Sequence, residues 1–74
     1  MTEAQAKKEG VAAYRAGKSR APALNQGFLT MACASGNTAA MMDAYMLGWT
    51  IANLANGMPS DFPSVRELAK IEAA

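Results

Sequence analysis

The sequence predicts an all-α fold of three to four short helices built around an antiparallel helix pair. Three observations carry that prediction. Seventeen of the 74 residues are alanine, the strongest helix former and a poor strand former. Thr2 with Gln5, and Ser64 with Glu67, each have the spacing of a capping box, a helix-start signal. Apolar residues recur at spacings of three and four rather than two. The length allows a single domain, residues 1–74, which buries about 60–65% of the unfolded surface. Its core volume has to come from five aromatics, six methionines and a few Leu, Ile and Val. That predicts either modest stability or a partner that covers what the monomer cannot.

The first helix is expected over residues 3–16. In its T-x-x-Q box each side chain satisfies the other residue's free backbone N–H. Gly17 can take the left-handed position that ends the helix. Lys18 to Pro22 then form a turn, since Pro22 disfavours a helical Ala21. A second helix is expected from about Leu24 to Ala34, with Leu24, Phe28 and Met31 on one face. Gly27 weakens it by about 1 kcal/mol relative to alanine. Ser35-Gly36-Asn37 breaks the chain. A third helix follows, over residues 38–56, capped by Asn37 or Thr38 and closed by Gly57. It is apolar over most of its circumference, through Met41, Ala44, Tyr45, Leu47, Ile51, Ala52, Leu54 and Ala55. Such a helix is central, or lies at a dimer or partner interface. Met58–Pro63 reads as a linker. A last helix starts at the Ser64–Glu67 box and runs to about Ala73, with Val65, Leu68, Ala69 and Glu72 or Ile71 forming one apolar stripe.

Composition also bounds the chemistry. There is no histidine, so Ser-His-Asp, Cys-His and histidine–metal sites are excluded, and neither a metal nor a cofactor is expected. Cys33 is the single cysteine. It cannot form an intrachain disulfide, fits a reducing compartment, and reads as a small buried residue. The polar N-terminus lacks a signal-peptide run, and Asp43, Thr50 and Asn53 interrupt the longest apolar stretch. A cytoplasmic protein without a membrane span is expected. Gly17-Lys18-Ser19 matches the end of a phosphate-binding loop. It follows a helix rather than a strand, however, and Ala12 stands where that pattern needs glycine. No enzyme is expected.

The net charge is +1, but it is unevenly spread. Residues 1–20 hold Lys7, Lys8, Arg15, Lys18 and Arg20 against Glu3 and Glu9, a balance of +3. The remainder holds two basic against four acidic residues, a balance of −2. The basic end can meet phosphates or simply solvate a helix. On the third helix, Asp43, Thr50 and Asn53 share a narrow polar side. Met42 and Met46, four apart, read either as core or as an adaptable apolar patch for a partner.

Two strips of small residues face each other in this reading. Gly10, Ala13 and Gly17 recur at three and four along the first helix. Gly48 and Ala52 recur at four along the third, flanked by Tyr45 and Trp49. Glycine inside a helix costs about 1 kcal/mol unless the space is used, and close helix packing uses it.

These segments resemble the ribosome modulation factor family, including its plasmid- and phage-borne relatives. The family pattern has a glycine, an alanine three later, A-G-[KR]-S at a helix end, a proline soon after, and an aromatic-x-x-G-W-x-x-A helix. Here it is carried by Gly10, Ala13, Ala16, Gly17, Lys18, Ser19, Pro22, Tyr45, Gly48, Trp49 and Ala52. The resemblance spans roughly residues 6–22 and 43–54, and implies a core of about 3–56. The chain departs from the pattern with Ala21-Pro22-Ala23 in place of an N-P-Y-like element. It also departs in a longer, Met-rich stretch over 26–42 and in the segment 58–74. The resemblance implies a small regulator that binds the ribosome or ribosomal RNA and modulates translation. Lys18, Ser19, Arg20 and Arg15 would be its RNA-facing group, with Lys7 and Lys8 added from the charge pattern. The near-neutral charge and the apolar third helix support a different expectation. This is a phage or mobile-element protein that inhibits a host or defence protein through Met42, Asp43, Met46, Thr50 and Asn53, with homodimerisation possible.

Overall fold

The Thr2–Gln5 box forms as expected. The Thr2 hydroxyl accepts from the Gln5 backbone N–H at 3.2 Å and Gln5 Oε1 accepts from the Thr2 N–H at 2.8 Å, which starts helix α1, Glu3–Arg15. At its other end Gly17 has φ +74°. The Lys18 N–H reaches the Ala13 carbonyl and the Gly17 N–H reaches that of Tyr14, the Schellman pattern that spends the last free carbonyls. The computed structural model describes all residues, 1–74. It continues with a short 3₁₀ turn at Pro22–Leu24, then α2 over Gln26–Ala34, α3 over Thr38–Ala55 and α4 over Pro63–Ala73. The fold is all-α, and the pair α1–α3 is its core.

The small residues in that pair are filled by backbone. A Cβ placed on Gly10 would lie 2.0 Å from the Tyr45 carbonyl oxygen, and one on Gly48 would lie 2.1 Å from that of Lys7. Ala6, Ala13 and Ala52 are buried beside them. Gly17, by contrast, is exposed with open space at its Cβ position, so it serves the turn rather than the strip. The larger core cluster joins Ala6 and Ala13 of α1, Phe28 and Ala32 of α2, and Met41, Ala44 and Tyr45 of α3. A smaller cluster joins Val11, Ala52 and Ile71, so α4 closes the other side of α1 and α3.

Several expectations are corrected. The second helix begins at Gln26, because the Asn25 side chain accepts from the Phe28 N–H and caps it there. Leu24 therefore falls in the 3₁₀ turn, 75% exposed, and Met31 is also exposed, leaving Phe28 and Ala32 as the buried face. Cys33 lies one position past Ala32 and is exposed. The Ser64–Glu67 box does not form, since Pro63 takes the first helical position and makes Phe62 the cap residue, without a side-chain bond. Glu67 pairs with Lys70 instead. Asn37 occupies the α3 cap position without a side-chain bond either. As expected of a central helix, α3 touches α1, α2 and α4, and it leaves one side open, where Leu47 and Leu54 are 46% and 53% exposed.

Candidate functional site

The chain that leaves α1 is tied down at almost every residue. The Trp49 indole N–H donates to the Lys18 carbonyl at 3.0 Å, and the indole meets Tyr14 edge-on at 5.3 Å between ring centroids. The Ser19 hydroxyl oxygen accepts from the Ala21 N–H at 3.1 Å, a local turn. Arg20 Nε donates to Thr50 Oγ1 at 2.9 Å, and that hydroxyl donates onward to the Met46 carbonyl at 2.8 Å. Pro22 is buried. Asn25 Nδ2 donates to the Tyr45 hydroxyl at 3.2 Å, and the Tyr45 ring packs on Phe28 at 4.4 Å. The exposed Lys18, Ser19 and Arg20 thus lie on a loop anchored to α3 at the Lys18 carbonyl and through the Arg20 side chain. Beside it opens a cavity of about 320 Å³ lined by Lys18, Ser19, Ala21, Leu24, Asn25 and Tyr45.

The six basic-end candidates fall into two groups. Lys18, Ser19 and Arg20 share the anchored loop, and neither cation has a carboxylate within ion-pair distance. Lys7, Lys8 and Arg15 face α4. Arg15 pairs with Glu72 at 2.6 Å, Lys8 Nζ donates to the Ala74 carbonyl, and Lys7 lines a cleft of about 270 Å³ with Ala4, Glu67, Lys70, Ile71 and Ala74. Two of these three are therefore already engaged by the C-terminal helix.

The α3 candidates also separate. Asp43 and Asn53 are exposed, while Met42, Met46 and Thr50 are half-buried. Met42 packs against the larger cluster, so it is not part of an exposed patch. Thr50 is used by Arg20. The open apolar groups on this side are Leu47 and Leu54. Leu24 and Asn25 were missed as site residues. The signal for Asn25 was its place three before Phe28 at a helix start, the usual spacing of an Asn cap. Leu24 carried no signal apart from its closeness to Pro22.

The Cys, Asp and Glu side chains nowhere gather in threes at metal-ligand spacing, and no helix is long and apolar enough to cross a membrane. The arrangement is an anchored loop bearing two cations, with an open recess beside it. It suits binding of an anionic or acceptor-rich partner better than covalent chemistry. Comparison with family models, with curated proteins and with solved structures returns no match.

Proposed function

We propose that the protein is a small non-enzymatic regulator that binds ribosomal RNA, and through it the ribosome, with the Lys18-Ser19-Arg20 loop. The supporting observation is the anchored loop itself. The Arg20 guanidinium is held on α3 by Thr50, the Lys18 backbone is held by Trp49 while its ammonium stays free, and neither cation has an acidic neighbour to displace. Cations without an internal partner release counterions when they meet phosphates, and fixed ones lose little entropy in doing so. The family resemblance of the same segment gives the partner class. The protein should co-sediment with ribosomes at low salt and leave them as salt rises. A protein that ignores both ribosomes and free RNA at low salt refutes this reading.

A second reading is favoured by one different observation. Leu47 and Leu54 stand exposed on the open side of α3, next to Asp43 and Asn53. Exposed leucines seven apart on a helix fit the groove of a protein partner, as an inhibitor of a host or defence protein requires. Affinity purification with and without nuclease separates the readings. Nuclease-resistant capture of one non-ribosomal protein supports the second, and recovery of ribosomal components alone sinks it.

A further inference from the structure

The open side of α3 carries a pattern that complements itself. Asp43, Leu47, Thr50 and Leu54 recur at spacings of four, three and four, so they share one stripe of the helix. Asp43, Leu47 and Leu54 are exposed. Asp43 has no cation within ion-pair distance. Arg20 joins the stripe through its Nε–H bond to Thr50, and it has no carboxylate. The stripe therefore shows one free negative and one free positive charge, with Leu47 between them. Asp43 and Thr50 lie about 10.5 Å apart along the helix axis. Ala39, exposed one turn before Asp43, leaves that end of the stripe without bulk.

We infer that this stripe receives a second copy of the chain, with the two α3 helices antiparallel about a twofold axis beside Leu47. That register sets Asp43 of one copy opposite Thr50 of the other, so each Asp43 carboxylate meets the Arg20 guanidinium of the other copy. Leu47 then meets Met46 and Leu47 across the axis. Each Leu54 lies over an Ala39, where the small side chain lets the helices close up. A parallel pair would set Asp43 against Asp43 and Arg20 against Arg20, so charge selects the antiparallel one. The leucines supply the affinity, and the exposed ion pairs supply register and partner choice. One helix face makes a small interface, so the dimer is weak and depends on concentration. The second copy contributes a residue to the loop, because its Asp43 occupies Arg20, a cation that the ribosomal reading assigns to phosphates. That consequence rests on the ribosomal reading, and the pairing itself does not.

The test is sedimentation equilibrium of the full chain without RNA over a concentration series. Wild type should show a reversible monomer–dimer equilibrium. Asp43→Arg and Arg20→Asp should each weaken it by about tenfold or more, since each reversal sets like charges together twice. An equimolar mixture of the two variants should recover wild-type pairing to within about threefold, because each supplies the charge that the other lacks. Both residues are exposed, so the variants keep the fold, which circular dichroism checks. A wild type that stays monomeric throughout, a dimer that ignores both reversals, or a mixture that fails to recover overturns the pairing. Leu47→Gln should weaken pairing without changing charge, and it should bind ribosomes more tightly than wild type at concentrations where wild type pairs. Equal ribosome affinity overturns the masking of Arg20. Absence of ribosome binding by either protein overturns the ribosomal reading while the pairing stands.

Discussion

Substituting one glycine of the α1–α3 pair tests the packing on which everything else stands. A methyl added at Gly48 would sit 2.1 Å from the Lys7 carbonyl oxygen, 2.8 Å from its carbonyl carbon and 2.9 Å from its Cα. All three atoms are backbone, inside α1, so no side chain can rotate away. Real contacts of this kind start near 3.0 Å, and the two helices must part to reach it. Overpacking of this sort costs about 1–3 kcal/mol or more. The better helix propensity of alanine returns about 1 kcal/mol. For Gly48→Ala a net loss of about 2 kcal/mol is therefore expected, since a clash with backbone belongs at the upper end of that range. In a chain of this size each kcal/mol moves Tm by about 4–8 °C, so the midpoint should fall by about 8–16 °C. Gly27→Ala is the control. Its Cβ meets only Asn25 Oδ1, at an ordinary 3.8 Å, and it should raise stability by about 0.5–1 kcal/mol. Thermal unfolding followed by far-UV circular dichroism reads both. A Gly48→Ala protein that melts at or above the wild type, or a Gly27→Ala protein that falls with it, refutes the close-packing argument.

Three further outcomes follow from particular contacts. Thr2→Ala removes a formed cap and should cost about 1 kcal/mol, whereas Ser64→Ala should stay within about 0.5 kcal/mol because Ser64 caps nothing; urea unfolding separates them. Trp49→Phe keeps an aromatic ring at that position but removes the donor to Lys18, and should speed hydrogen exchange of the loop amides while costing about 1 kcal/mol. The Arg15–Glu72 pair is exposed, 56% and 44% for the two side chains, so solvent screens it and a double-mutant cycle should return less than about 1 kcal/mol.

The helix count and the α1–α3 pair were legible in the sequence because their signals are local. Thr2, Gln5 and Gly17 act on backbone groups within a few residues, and the glycines of α3 and α1 stand out as costly unless another helix comes close. Periodicity failed where a competing local signal outranked it. Leu24 fits an apolar stripe with Phe28, yet Asn25 caps α2 first and leaves Leu24 outside it. Pro63 displaced the Ser64 box in the same way. The site was half legible. Lys18, Ser19 and Arg20 were picked out by charge and motif, but nothing local says that Trp49 and Thr50 hold them, or that Arg15 is taken by Glu72. Those contacts join residues 30 to 57 positions apart, and only the packed fold brings them together. Asn25 and Tyr45 form one unit across twenty positions for the same reason.

The central claim is that Lys18 and Arg20 meet ribosomal phosphates. Sedimentation with purified ribosomes across a salt series measures it, with wild type, Lys18→Gln and Arg20→Gln compared at each salt concentration. Each lost phosphate contact should flatten the slope of log affinity against log salt by about 0.7–0.9, while Lys8→Gln, whose ammonium is engaged by the Ala74 carbonyl, should leave the slope unchanged. A wild-type protein that never sediments with ribosomes, or a slope that ignores both loop substitutions, would contradict the account.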